Sequence, residues 1–311
     1  MSTHRNIRNT LFAAIAAVFA ATPLPAWAQA DGPMSIAHAK GDTDLAARPE
    51  KVIVFDLASL DTLSTLGVAV AGVPAGPKPP VLARYAGSDY AKVGSLFEPD
   101  YEALNAAEPD LVIVGGRSGS KYAEVAKMAP TIDLTVDPKN YLASMKRNAE
   151  TLGRIFGKQT EVSERLAKLD ASIAELKGKS ASAGTGLIVL TTGGKMSAYG
   201  PGSRFGMLHD EFGVTPAVAD LTPGNHGQSI SFEFIQKTDP DWLFVLDRDA
   251  AIGREGEAAS KLLDNDLVGQ TKAWKSGQVV YLDAASWYLV GGGLTTMQMI
   301  VDQISEALTK A

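Results

Sequence analysis

The chain has 311 residues, 45% of them hydrophobic, with 29 basic against 35 acidic side chains and no cysteine. That is apolar material for two cores of ordinary domain size, and the missing cysteine excludes disulfides, thiol nucleophiles and thiolate metal ligands. A formal net charge of −6 without basic runs argues against nucleic acid as a partner.

Residues 1–28 read as a cleavable secretory leader. Arg5 and Arg8 precede the apolar stretch 11–21, Pro23 and Pro25 break it, and Ala26-Trp27-Ala28 supplies a small-x-small cleavage site. The apolar stretch is shorter than the ~20 residues that cross a bilayer. With no cysteine to carry a lipid, the mature protein is expected to be exported, soluble and untethered.

After the leader, residues 34–46 alternate loosely and suggest edge strands, and 51–56 is an apolar run suited to a buried strand. Leucines 57, 60, 63 and 66 place a helix over 56–66, with Gly67 as its stop and 68–73 as the next strand. Residues 74–90, rich in Pro, Gly and Lys, are expected to form a mobile loop at the rim of a cleft.

Residues 101–117 then recur 131 positions later. The shift matches Tyr101 with Phe232, Glu102 with Glu233, Leu104 with Ile235, Pro109 with Pro240, Asp110 with Asp241, Val114 with Val245 and Arg117 with Arg248. Each copy suggests a short helix opened by an acidic residue, a Pro-Asp turn that ends it, a buried parallel strand, and an arginine. Ligands of open α/β sheets lie at the carboxyl ends of the strands, so Arg117 and Arg248 are expected to face one crevice from two related lobes. For either arginine alone, solvated surface is the alternative.

Residues 118–129 suggest a helix, 131–135 a strand, and 141–156 a helix stopped by Gly157. A further helix over 159–177 keeps Val162, Leu166, Leu169, Ile173 and Leu176 on one side. At 1.5 Å per residue it would be roughly 30 Å long, the width of a domain, which makes it the single rigid spacer between lobes that move little. The division that follows is a leader at 1–28, an N-terminal lobe at 29–157, the linking helix at 158–178 and a C-terminal lobe at 179–311. The fold class is α/β, with two Rossmann-like lobes joined by one long helix. In the second lobe, the strand at 187–190 leads into Thr191-Thr-Gly-Gly-Lys-Met196, which lacks Walker spacing and suggests a plain turn. A strand at 279–282 and an amphipathic helix at 294–308 close the chain.

Three histidines follow the leader. His38 is uninformative and His209, in a helix at 205–212, suits a partly exposed structural role. His226 lies in Pro223-Gly-Asn-His-Gly227, a loop in which packing requires no histidine, and is the candidate ligand contact. Tyr288, just before three glycines, is either wall packing or a ligand contact. Arg204, after a glycine-rich loop, is either a third cleft cation or an ordinary helix-start residue. Glu102 and Glu233 either complement their helix dipoles or dock a two-fold partner. Together, three guanidiniums, an imidazole and a phenol suit an anionic ligand carrying ferric iron, because phenolate oxygen favours that hard ion. Motifs for a nucleophile elbow, a zinc protease or a P-loop are absent from the sequence, which leaves a periplasmic enzyme acting on an anionic substrate as a distant rival.

Taken together, these features resemble the periplasmic binding proteins of ABC importers that have a rigid helical hinge, the group that takes up ferric siderophores, haem and cobalamin. Within it the chain looks most similar to the enterochelin (enterobactin) type of catecholate-siderophore-binding protein. The resemblance implies a class III binding-protein fold, no enzymatic activity, no intrinsic cofactor and a monomer. It implies a ferric tetradentate bis-catecholate as cargo, with Arg117, Arg204 and Arg248 on the catecholate oxygens. His226 and Tyr288 would fill the two iron positions that such a ligand leaves open, and Glu102 and Glu233 would dock the inner-membrane permease. A haem carrier is the alternative, since histidine and tyrosine also ligate haem iron.

Overall fold

The computed structural model describes residues 32–310 except Pro223, so the leader lies outside the described residues. Among the described residues no helix is long and apolar enough to cross a membrane.

The first lobe is built on five parallel strands in the order Ala91–Lys92, Gly72–Val73, Val52–Val54, Leu111–Val114, Thr131–Asp133. Residues of the two central strands are buried, as expected where helices cover both faces of a parallel sheet. Asp56, two residues past the strand Val52–Val54, caps the helix Leu57–Thr65, its carboxylate accepting the Ser59 N–H at 2.8 Å. The alternating segment near the start folds as a hairpin of its own, Met34–His38 with Gly41–Leu45, tied to the sheet edge by a hydrogen bond from Thr43 to the Thr131 carbonyl.

The second lobe has a six-stranded sheet. Thr185–Thr192, Trp242–Asp247 and Val279–Tyr281 run parallel, but Lys195–Tyr199 and Gln228–Ile230 continue the sheet antiparallel, and Thr215–Pro216 pairs with the start of 185–192. The Gly193-Gly194 pair is the hairpin turn, with both glycines at positive φ (53° and 75°).

The repeat is structural as well as sequential. Helices Tyr101–Ala107 and Phe232–Thr238 are capped by Asp100 and Ser231, and each ends on a left-handed non-glycine, Glu108 at φ 44° and Asp239 at φ 46°. The proline that follows each disfavours continuing the helix. The next residue has the same task in both lobes: Asp110 accepts the Lys51 N–H at 2.9 Å and Asp241 the Thr185 N–H at 2.8 Å, each pinning the start of the neighbouring strand.

The long helix is Gln159–Ser180, and it buries Val162, Leu166, Leu169, Ile173 and Leu176. It is not the sole tie between the lobes. The closing helix Leu294–Thr309 packs along it and also reaches the first-lobe helix Leu57–Thr65. Its capping residue is Gly293, which has no side chain, so the first lobe supplies the cap. Asp61 accepts the Thr296 N–H at 3.0 Å and the Thr296 hydroxyl at 2.6 Å. One core accordingly spans the molecule, joining Leu66 and Met145 of the first lobe to Ile188 and Phe244 of the second.

Three local expectations need correction. The strand at 68–73 shrinks to Gly72–Val73. The helix at 118–129 is a 3₁₀ turn at Gly119–Lys121 followed by Tyr122–Val125, because Gly119 and Ser120 favour turn over helix. The supposed rim loop at 74–90 contains the 3₁₀ helix Pro80–Ala86, whose Leu82 and Tyr85 are buried: the prolines pre-set its backbone and the apolar side chains anchor it.

Candidate ligand-binding site

A cavity of about 840 Å³ is lined from both lobes. The first lobe supplies Asp56, Phe97, Arg117 and Tyr141; the second supplies Tyr199, Arg204, His226, Arg248 and Tyr288. All five residues singled out for ligand or iron contact therefore meet at one place. Glu102 and Glu233 do not; they stand exposed in the first turns of the two repeat helices. The segment 74–90 supplies none of the described lining residues.

Tyr288 is the hub. It is carried by a π-helical turn, Ala285–Val290, a distortion frequent at functional sites. The glycines after it allow that turn to sit against the first lobe. A Cβ on Gly291, itself at φ 67°, would lie 2.7 Å from the Tyr141 hydroxyl, and one on Gly293 would strike the Asp61 carboxylate. Three arginines surround the Tyr288 ring, their guanidinium carbons 4.2 Å (Arg204), 5.3 Å (Arg117) and 5.6 Å (Arg248) from its centroid. Arg117 and Arg204 donate to the Tyr288 carbonyl at 2.6 and 2.8 Å, and Arg117 also to the Leu289 carbonyl at 3.2 Å. Arg248 donates through Nε to the Tyr288 hydroxyl at 2.8 Å and through Nη1 to Thr192 at 3.2 Å. A guanidinium has five N–H donors, so these bonds leave each arginine with donors to offer a ligand.

Three phenols line this cavity and their chemistry diverges. Burial pushes Tyr141 well above the ordinary phenol range, and the nearby Asp56 carboxylate pushes the same way. Burial also raises Tyr199. At Tyr288 burial again opposes ionisation, but the hydrogen bonds and charges of Arg248 and Arg204 outweigh it and hold the phenol below its ordinary value. Tyr288 alone among the three is thus biased toward phenolate. Burial lowers Arg117, reinforced by the charge of Arg204, and burial raises Asp56, opposed by Ser59 and Arg117.

His226 stands on the exposed loop that enters the strand Gln228–Ile230, at the edge of the cavity. The other two histidines lie elsewhere. His209 is buried rather than partly exposed, with Nδ1 at 2.8 Å from the Val214 carbonyl, and burial lowers its pKa. His38 bonds Thr43 in the N-terminal hairpin. Among the described residues no group of three or more acidic or histidine side chains could hold a bare metal ion.

The sequence reading missed Asp56, Phe97, Tyr141 and Tyr199. Asp56 follows a central strand and obeys the rule that pointed to Arg117, so that signal was present. Tyr141 at a helix start, Tyr199 in a strand and Phe97 in a loop carry no such mark.

Comparison with known proteins agrees with this architecture. The periplasmic binding protein family matches residues 52–285. The petrobactin-binding protein YclQ of Bacillus subtilis is 44% identical over 274 residues, 87% of this chain and 86% of that protein. Its crystal structure aligns with a TM-score of 0.87 at 43% identity, covering 90% of this chain and 99% of the other. The ferric-anguibactin-binding protein FatB of Vibrio anguillarum is 34% identical over 278 residues, 88% of this chain and 86% of that protein. The crystal structure of the periplasmic catecholate-siderophore binding protein VctP of Vibrio cholerae aligns with a TM-score of 0.83 at 30% identity, covering 90% of this chain and 100% of the other.

Proposed function

The chain belongs to the periplasmic binding protein family, with the class III arrangement of two lobes on a helical hinge, and from that premise we propose that it is a ferric-siderophore carrier. It captures the chelate outside the inner membrane and hands it to an ABC importer; it is a binding protein rather than an enzyme. The observation that carries this reading is the ring of Arg117, Arg204 and Arg248 around a phenol held toward its ionised form. Relatives named for petrobactin, ferric anguibactin and catecholate siderophores support it.

The cargo we favour is a ferric tetradentate bis-catecholate. Two catecholate dianions on Fe(III) leave a net negative complex, which the cationic cleft of an otherwise acidic protein attracts. The three guanidiniums donate charge-assisted hydrogen bonds to the catecholate oxygens. A tetradentate chelator leaves two octahedral positions open; the Tyr288 phenolate takes one and the His226 imidazole, arriving from its exposed loop, takes the other. Because the phenol is already biased toward ionisation, its loss of a proton to iron is less costly than at Tyr141 or Tyr199. Glu102 and Glu233, at matching places on the two lobes, dock the loaded protein on the permease. The leader is removed on export and the protein works in the periplasm as an untethered monomer.

The test is a tryptophan-fluorescence titration with a ferric bis-catecholate, run in parallel with haemin. Saturable quenching by the ferric bis-catecholate supports the reading. Quenching by haemin without any response to the catecholate complex would replace it with haem carriage.

A further inference from the structure

We propose that Phe97 is an aryl clamp of this site, a ring that stacks on an aromatic face of the bound chelate and so selects aryl chelators over aliphatic ones. The proposal rests on the ferric-chelate reading above and adds a specificity residue to it.

Phe97 is 59% exposed, more than any other large exposed hydrophobic side chain among the described residues, yet it lines the cavity. An apolar ring left in water forgoes the burial that stabilises Phe in a core. The turn that carries it is held in place. The Ser95 hydroxyl accepts the N–H groups of Phe97 (3.2 Å) and Glu98 (3.0 Å), and the Ser95 N–H donates to the Glu98 carbonyl at 2.8 Å. Gly94 and Pro99 close the base of the turn as an antiparallel bridge, and Lys121 holds the Glu98 carboxylate at 2.7 Å. The backbone is therefore already ordered when a partner covers the ring, and only side-chain freedom remains to be lost.

The position of the ring says what that partner carries. The Arg117 guanidinium carbon lies 6.0 Å from the Phe97 centroid and 5.3 Å from the Tyr288 centroid, so the cation lies over two aromatic rings, one from each lobe. A ligand placing an oxyanion on Arg117 brings whatever bears that oxygen against Phe97. A catecholate bears its oxygens directly on a flat ring, which meets the exposed face in the offset or edge-on geometry aromatic pairs prefer. A citrate-type or hydroxamate chelate offers Arg117 the same oxygen but has no face for the ring.

The experiment measures ferric bis-catecholate affinity for the full chain and for Phe97→Trp, Phe97→Leu and Phe97→Ala, with the proton NMR spectrum of the diamagnetic gallium(III) analogue bound to each. We expect Phe97→Trp to retain affinity and Phe97→Leu and Phe97→Ala to bind about tenfold more weakly, the worth of one aromatic pair. The catechol protons should shift upfield in the wild type and lose part of that shift in Phe97→Leu. Equal affinity and equal shifts for Phe and Leu would overturn the clamp while leaving the carrier reading intact. Failure of the wild type to bind at all would overturn the carrier reading, and the clamp with it.

Discussion

The two copies of the repeated segment carry an arginine at the same place and use it differently. Arg117 reaches from the first lobe to backbone carbonyls of the second, at Tyr288 and Leu289, and is a tie between lobes. Arg248 stays within its own lobe, bonding the Tyr288 hydroxyl and Thr192, and together with Arg204 lowers the pKa of the phenol. The caps, the left-handed helix ends and the strand-pinning aspartates are shared. What holds each segment in place is the same in both; the division of labour comes from what stands opposite.

The largest effect that would separate the two arginines is on chelate affinity. On the proposed reading Arg248→Ala would remove a charge-assisted bond to the ligand and also one support of the phenolate, so affinity should fall roughly 100-fold; Arg117→Ala would remove one such bond, about tenfold. A fluorescence titration at neutral pH measures both, and equal losses would remove phenol tuning from the account.

The next effect concerns pH. Tyr288 is an acid whose folded pKa is depressed, so between its folded value and the ordinary phenol value near ~10 the folded chain binds fewer protons than the unfolded one. The stability it contributes is fully present above the unfolded value and is lost as pH falls through the folded one. Arg248→Ala should move one tyrosine upward in an ultraviolet titration of tyrosinate absorbance, and Arg117→Ala should move it less.

The smallest effect tests the shared scaffold. Glu108 and Asp239 both hold a left-handed backbone that glycine adopts without penalty, so Glu108→Gly should stabilise the fold by about 1 kcal/mol. Asp239→Gly should gain less, because Asp239 also accepts the Lys272 N–H at 2.8 Å and lies 3.6 Å from the Lys272 ammonium. Denaturant unfolding of the two variants measures the difference.

Much of the architecture was legible in the sequence because local chemistry sets it. Leucine spacing marks the helix Leu57–Thr65, apolar spacing marks Gln159–Ser180, and Pro-Asp ends both repeat helices. The rule that ligands gather at strand ends brought Arg117 and Arg248 to the cavity. What stayed hidden depends on contacts distant in sequence. The π turn under Tyr288 is seated by the close approach of Tyr141 and Asp61 to Gly291 and Gly293, more than 140 positions away in the chain for each pair. The second tie between lobes, from Asp61 to Thr296, is equally remote in sequence. Phe97 is displayed by a turn whose outward ring no periodicity could reveal.

The central claim is that Tyr288 and His226 complete the coordination of a ferric chelate held by the arginines. Visible absorption of a ferric bis-catecholate on the wild type, Tyr288→Phe and His226→Ala tests it most directly. The account predicts that the catecholate-to-iron charge-transfer band shifts on binding to the wild type and that each variant alters the shifted band and binds more weakly. Tight binding with an identical band in all three proteins would contradict it, leaving the arginines alone to hold the chelate.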